Sequence, residues 1–306
     1  MTTYILRRLG FSVFVLWGAL TIVFAAIRLA PGDPAQLMLG SDATAQDVAS
    51  LRQRLGLDRP ILIQYVDYLV RAVRLDLGVS LRLDQPAAQA ILERFGETAR
   101  LAATAMLLAL GASFPLGIWA ALRPRSPVDS FVSLVSLLGQ SVPNFWLGIM
   151  FILLFARQLR LLPSGGAETW QHLILPAVTL ALPLVGVLTR LVRSGMLDVL
   201  DEDYVRTAWA KGLPPRTVVT RHALINMLIP VVTVIGLQLG HLLGGAVIVE
   251  TVFAWPGVGR LLVEAIGNRD YPLVQAAVVF ITTGFVLINF LVDLSYGYLD
   301  PRVRLG

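Results

Sequence analysis

The sequence contains no cysteine, which excludes disulfide bridges and metal sites built on thiolates. Charged side chains are scarce as well: they make up 15% of the 306 residues, against about 25% in an ordinary soluble domain. Apolar residues make up 56%, and the mean hydropathy is +0.72. A water-soluble protein of this length cannot bury so much apolar surface. The composition therefore excludes soluble and disordered classes and indicates an integral membrane protein.

Six long runs without Asp, Glu, Lys or Arg set the architecture. A helix needs about 20 residues to cross the hydrocarbon core, so each run suffices for one crossing and none for two. Because backbone groups in lipid must be hydrogen-bonded internally, we expect helices. We predict an all-α membrane protein with six transmembrane helices, at residues 9–27, 101–122, 130–156, 169–189, 229–249 and 271–292.

The basic residues are distributed unevenly between the two sides of the membrane. With six crossings both termini share a side, whose 61 residues carry 12 basic and 7 acidic groups. The other side has 106 residues with 13 of each sign. Since basic residues concentrate in cytoplasmic loops, we expect both termini in the cytoplasm. A cleaved signal peptide at the first span is disfavoured, because its apolar core is longer than the usual 7–15 residues or so.

The segment 31–98 is the largest stretch predicted outside the membrane. Its opening sequence, Pro31-Gly32-Asp33-Pro34, should end the first helix. Thr44 and Asp47 have the spacing of a capping box, and Gly56 can close the helix that they begin. A second amphipathic helix follows. The segment is predicted to be either a passive lid or a docking surface for a partner.

The cytoplasmic loop 198–227 has the pattern of two short helices joined by a tight turn. Asp201-Glu202-Asp203 places negative charge where a helix N-terminus favours it. A helix over 204–211 should then end at Gly212, and Pro214-Pro215 permits a new helix to begin and run into the fifth span. Such a shape suits a groove on another protein. The alternative is a solvated basic loop.

The sequence of this loop strongly resembles the coupling loop of binding-protein-dependent ABC importer permeases, in particular the dipeptide/oligopeptide/nickel branch. The wider family has Glu-Ala-Ala, three residues and Gly; here Arg206 and Thr207 replace Glu and Ala, while Ala208 and Gly212 remain. The branch commonly makes these departures. The resemblance implies a set of ATPase-coupling residues: Asp203, Tyr204, Val205, Arg206, Thr207, Ala208, Ala210, Lys211, Gly212 and Leu213.

The resemblance extends over essentially the whole chain, as a single permease domain with the type I importer fold and an extracytoplasmic insert after the first helix. Further motifs in the family's order are Pro31–Pro34, Leu55–Pro60, Pro143–Trp146, Trp170–His172, Glu250–Arg260, Arg269–Pro272 and Leu299–Arg302. The resemblance implies a multi-pass protein of the bacterial inner membrane that forms half of a translocation path.

The family also implies partners: a second homologous permease subunit, two ATPase subunits and an extracytoplasmic substrate-binding protein, with no nucleic acid. The sequence has no Gly-x-x-x-x-Gly-Lys-Ser/Thr phosphate-binding loop. We therefore expect ATP hydrolysis, with its ATP and Mg, in the partner ATPases and no cofactor or metal in this chain. Peptides are the favoured substrates. Glutathione and nickel complexes are the alternatives, because the binding protein and not the permease selects the substrate.

An ion-coupled carrier or a channel is a distant alternative. Carriers generally place ionisable residues deep in the membrane. The six predicted spans contain no Asp, Glu, Lys or Arg, and His241 is the one deep titratable group.

The fifth span carries glycine every fourth residue, at Gly236, Gly240 and Gly244, which predicts close packing of a neighbouring helix. Gln238 and His241 lie on a different face and are predicted to line the translocation path, although interhelical hydrogen bonds are the alternative. The candidates for the path, with two polar residues of the proline-interrupted third span, are Gln140, Asn144, Gln238 and His241.

The turn after the fifth span is predicted to be an outer gate or a docking loop for the binding protein. Its candidate residues are Glu250, Trp255, Pro256, Gly257 and Arg260. The alternative is a rigid turn anchored by an aromatic side chain at the lipid headgroups.

Overall fold

The computed structural model describes residues 2–29, 32–39, 44–80 and 82–299. The chain divides into two compact units. The first contains Ala99–Trp255 and the end of the last helix from Ile288; the second contains Thr2–Thr98 and Pro256–Leu287. The helices of the described residues are α1 (Thr2–Leu29), α2 (Pro34–Leu39), α3 (Ala45–Arg54), α4 (Ile61–Val73), α5 (Ala87–Ala121), α6 (Pro127–Ser141), α7 (Asn144–Phe151), α8 (Ile174–Leu200), α9 (Asp203–Ala210), α10 (Pro215–Thr217), α11 (Leu224–Val252), α12 (Val258–Gly267) and α13 (Tyr271–Leu299).

Three further helical segments and one hairpin complete the described part. Ile152–Gln158 and Val218–Ala223 are π-helical and continue α7 and α10, and Trp170–Leu173 is a 3₁₀ turn that leads into α8. Strands β1 (Val79–Ser80) and β2 (Gln85–Pro86) pair antiparallel.

The all-α membrane class is confirmed by five helices that, within the described ranges, are long and apolar enough to cross a membrane. They are Ile5–Leu29, Ala87–Ala121, Trp170–Leu200, Val231–Val252 and Tyr271–Leu294. A sixth crossing is present if the bent pair Pro127–Ser141 and Asn144–Gln158 counts as one span.

The third predicted span, 130–156, is not one straight helix. Its two halves meet at an angle of 100°. Proline disfavours helical geometry in the residue before it, and Val142 is accordingly extended, with ψ at 125°. Pro143 is extended too and caps α7. The interruption expected from Pro143 is therefore a sharp break.

Helix α5 begins at Ala87, well before the predicted span at 101–122. Residues 87–98, which the sequence assigned to the extracytoplasmic segment, are thus the first turns of this helix. Ala87, Ala90 and Ile91 are buried there with residues of α12 and α13, including Val258 and Leu273. This packing, which hydropathy does not report, explains why the helix extends beyond the apolar run.

The core of the first unit is formed where α5, α8 and α11 pack together, with Leu101, Leu188, Leu242 and Phe253 among its buried members. A second cluster in the same unit surrounds Met227 on α11. In the second unit, β1 is joined to the turn before α13, because the Ser80 hydroxyl donates a buried 2.5 Å hydrogen bond to Asp270 Oδ2.

Candidate coupling site and translocation elements

Helix α9 contains most of the predicted coupling residues, and both of its ends are locally determined. Glu202 precedes it in an extended conformation, and Asp203 supplies negative charge to the first turn. At the other end Gly212 has φ of +75°. Its N–H donates to Trp209 O at 2.9 Å, and Leu213 N–H donates to Ala208 O at 3.4 Å. This is the Schellman arrangement, in which glycine is favoured at the left-handed position.

The inner face of α9 rests on the helical segments that flank it in sequence. Val205 and Val218 are completely buried, and Ala208 is buried beside them. The partly buried residues that pack around these three are Val199, Leu200 and Leu213. The remaining coupling residues are at the surface: Asp203, Tyr204, Arg206, Thr207, Ala210, Lys211 and Gly212 are exposed. Helix α9 is therefore held by two apolar side chains and presents the rest of its surface outward.

A direct hydrogen bond ties α9 to α11. The Asn226 side chain, near the start of α11, donates from Nδ2 to Tyr204 Oη at 3.0 Å. Pro215 begins α10, and the π-helical turn from Val218 continues into α11 without a break. Helix α9 is thus connected to α11 both through the chain and through this side-chain contact.

Arg206 organises the charges at the start of α9. Its Nη2 lies 2.7 Å from Asp201 Oδ1, and its Nη1 lies 3.6 Å from Asp203 Oδ1. The hydrogen bond to Asp201, together with the two nearby negative charges, raises the pKa of Arg206 above its ordinary value. These groups are exposed, so they orient one another but contribute little to stability.

The four polar candidates for the translocation path lie on three helices: Gln140 on α6, Asn144 at the start of α7, and Gln238 and His241 on α11. Gln140 donates to Ser136 O within α6 at 2.9 Å and lies against Gly186 of α8. Asn144 faces α11, where its Nδ2 is 3.8 Å from the position that a Cβ on Gly245 would take. Gln238 is half-buried and His241 is exposed. Neither is enclosed by its own chain, and their assignment to the path stays a prediction.

The glycine stripe of α11 makes close contact within the chain at one end. A Cβ on Gly236 would collide with Val292 of α13. Gly240 is buried, but Gly244 is exposed, and a Cβ there would meet nothing within 4 Å. Within the described part of this chain no helix contacts Gly244, so its role in helix packing stays a prediction.

The candidate gate residues at the end of α11 are buried. Glu250 and Trp255 both have 0% exposure. The turn after Val252 reverses direction at Ala254, whose φ is +48°, so Trp255 folds back into the core of the first unit. There Arg100 lies 5.4 Å from the centroid of the indole ring. Neither an exposed docking role for these two side chains nor an aromatic anchor at the headgroups fits this burial.

The other gate candidates belong to the second unit. Gly257 is buried and precedes α12, whose first N–H, from Val258, donates to Thr98 Oγ1 at 2.9 Å. Pro256 and Arg260 are half-exposed, and Arg260 Nε lies 2.7 Å from Glu264 Oε1. These two retain surface for the predicted docking role.

One ion pair was not predicted from the sequence. Arg193 of α8 binds Asp129 of α6 with two hydrogen bonds, Nε to Oδ1 at 2.5 Å and Nη2 to Oδ2 at 2.8 Å. The Asp129 side chain is 7% exposed and that of Arg193 29%. The capping pattern from Ser126 marks Asp129 as a first-turn residue, but a partner 64 residues away carries no sequence signal.

Comparison with known proteins identifies the family. Residues 113–305 match the family of binding-protein-dependent transport system inner membrane components, and residues 1–102 match the N-terminal region of such components. The chain belongs to this family. It is an ABC importer permease of the inner membrane, as the resemblance of the coupling loop predicted.

Relatives and solved structures agree with this assignment. The chain is 43% identical over 305 residues to the glutathione transport system permease protein GsiC of Salmonella typhimurium, covering 99% of both chains. The protein of the same name from Escherichia coli K12 gives the same values. Among solved structures, the MetNI methionine ABC transporter in inward-facing conformations matches with a TM-score of 0.59 and 19% identity, covering 69% of this chain and 97% of that one. An amino acid ABC transporter matches with a TM-score of 0.50 and 14% identity, covering 67% and 92%. These two likenesses confirm the importer permease fold.

Proposed function

We propose that this permease forms half of the path by which an ATP-driven importer takes up small peptides, with glutathione, itself a tripeptide, as the first substrate to test. The observation that carries the proposal is the 43% identity, over 99% of both chains, to permeases named for glutathione transport. The wider preference for peptides comes from the resemblance of the coupling loop to the peptide branch.

In this proposal α9 occupies a groove on an ATPase subunit, and ATP with Mg is bound and hydrolysed there. Two features support the assignment. The exposed face of α9 is free for a partner, and the contact between Asn226 and Tyr204 joins that face to α11. Closure of the ATPase would then move α11.

The remaining parts follow from the predicted topology. The coupling loop and both termini lie in the cytoplasm, and the segment after α1 faces the binding protein. A second permease completes the path, with Gln140, Asn144, Gln238 and His241 on the surfaces that face it. The exposure of His241 is compatible with this arrangement.

Uptake by cells provides the test. A strain lacking the gene for this chain should lose uptake of radiolabelled glutathione, and the wild-type gene should restore it. Labelled dipeptides and nickel, measured in the same strain, separate the alternatives. Glutathione uptake that is unchanged by the deletion, with loss of nickel uptake instead, would contradict the proposed substrate class.

Asn226→Leu tests coupling separately from substrate choice, because it removes the hydrogen bond to Tyr204 without touching the path candidates. It should reduce uptake of every substrate while the permease remains in the membrane. Asn268→Leu is the matched control, because Asn268 is also an exposed asparagine, directly after α12, and this variant should retain uptake.

A further inference from the structure

A cavity of about 500 Å³ lies within the second unit, between α4 and the segments around it. This volume is in the range of small-molecule sites, about 300–1,000 Å³. Phe24 of α1, Leu51 of α3 and Tyr271 at the start of α13 are among its walls. The walls therefore bring together the first helix, the insert that follows it and the last helix.

The cavity carries an excess of positive charge. Four arginines and two aspartates line it: Arg28, Arg54, Arg59, Arg71, Asp67 and Asp76. One of the arginines is neutralised, since Arg59 Nη1 lies 2.9 Å from Asp67 Oδ2. The guanidinium groups of Arg54 and Arg71 make no hydrogen bond or ion pair with any described residue. Two cationic forks thus border the cavity without an anionic partner among the described residues.

A buried hydroxyl of the same cavity also has no partner among the described residues. Tyr68 lines the cavity and stacks on Phe24 at 5.6 Å, but within the described ranges its buried Oη has no hydrogen-bond partner. Burial raises the pKa of Tyr68 to about 12, so the group remains a hydroxyl that can donate. Because a buried polar group without a partner is costly, the site is incomplete without a ligand or water.

Helix α4 separates this cavity from an apolar surface. The residues of α4 that line the cavity include Gln64, Tyr68 and Arg71, at helical spacing on one face. On the opposite face four apolar side chains are exposed: Leu62 at 75%, Val66 at 56%, Val70 at 43% and Val73 at 83%. An exposed apolar stripe on an amphipathic helix is the pattern of a helix that lies at the membrane interface. The cavity behind α4 would then be at the depth of the lipid headgroups.

We propose that this cavity binds the phosphate group of an anionic phospholipid headgroup. Arg54 and Arg71 hold the phosphate oxygens, because the planar guanidinium fork matches phosphate geometry. Tyr68 donates a further hydrogen bond, and the apolar walls accommodate the ends of the acyl chains that are attached to the glycerol. The proposal does not depend on which substrate the importer carries.

Phosphatidylglycerol is the probe, added to the purified permease in detergent and counted by native mass spectrometry. The double variant Arg54→Gln with Arg71→Gln should bind it at least about tenfold more weakly, since each charge-assisted hydrogen bond lost contributes this much. The matched control is Arg74→Gln, because Arg74 ends α4 but does not line the cavity; it should bind as the wild type does. If the double variant does not fold, Arg54→Gln alone should still weaken binding about tenfold.

Two results would overturn the proposal. One is equal binding by the wild type and the cavity variants; the other is an equal loss in Arg74→Gln, which would mean general surface attraction. Glycerol 3-phosphate, tested alone, distinguishes the source of the phosphate. If it binds and phosphatidylglycerol does not, the site takes a soluble phosphate and the lipid assignment is wrong.

Discussion

Replacing Arg193 with methionine should destabilise the permease, because the change leaves a buried carboxylate without its cationic partner. Asp129 is 7% exposed and would keep one hydrogen bond outside its own helix, from Arg125 N–H at 3.0 Å. Removing one member of a buried ion pair typically costs about 3–5 kcal/mol. Because the Arg193 side chain is 29% exposed, water can partly replace it, and we expect the lower end, about 3 kcal/mol.

Thermal unfolding of the purified permease, followed by tryptophan fluorescence, measures the effect. For domains of a few hundred residues, about 3 kcal/mol corresponds to a fall in Tm of roughly 6–12 °C. The matched control is Arg190→Met, one turn earlier on α8, where the arginine is exposed. Substitution there should change stability by less than about 0.5 kcal/mol.

A double-mutant cycle separates the ion pair from other effects of the substitution. Adding Asp129→Asn to Arg193→Met removes the unpaired charge, so the double variant should recover at least about 1 kcal/mol relative to Arg193→Met alone. If Arg193→Met and Arg190→Met lower Tm equally, or if the double variant is no more stable than the single one, the ion pair does not hold α6 to α8.

Three further predictions concern coupling, packing and topology. Gly212→Val places a β-branched residue at φ of +75° and should abolish uptake, whereas Gly212→Asn should retain most of it because asparagine tolerates this backbone geometry. Normal uptake by the valine variant would refute the role of the capped turn. Gly236→Leu should lower the yield of folded permease because it collides with α13, while Gly244→Leu should purify normally on its own; equal yields would contradict the packing. Because the chain has no cysteine, a single introduced cysteine shows on which side of the membrane its position lies. Asp58→Cys should react with an impermeant thiol reagent in spheroplasts, and Arg216→Cys should not. The reverse pattern would mean that the predicted orientation is inverted.

Features determined within one helical turn were predictable from the sequence. The capping box of Thr44 and Asp47 is present, with Asp47 N–H donating to Thr44 Oγ1 at 3.2 Å. Gly212 adopts the predicted left-handed conformation. Both are decided by neighbouring residues, and the apolar spans likewise depend on local composition, which explains why the sequence located them.

Features that depend on distant residues were missed. Trp255 follows an apolar span in a turn rich in proline and glycine, a pattern shared by interfacial aromatics. Its burial depends on the reversal at Ala254 and on residues of α5 and α8. The pair of Asp129 and Arg193 and the arginine-lined cavity arise in the same way, since each assembles side chains that are far apart in sequence.

The coupling helix combines both kinds of determinant. An isolated helix of eight residues is unstable in water, because helices shorter than about 12–15 residues are marginal there. Helix α9 therefore depends on its capped ends and on the burial of Val205 and Ala208 against Val218. Since the permease itself maintains this shape, a partner that binds the exposed face loses little free energy to ordering it. The same burial attaches α9 to the turn that begins α11, so we expect a force applied to the exposed face to act on the span as well as on the loop.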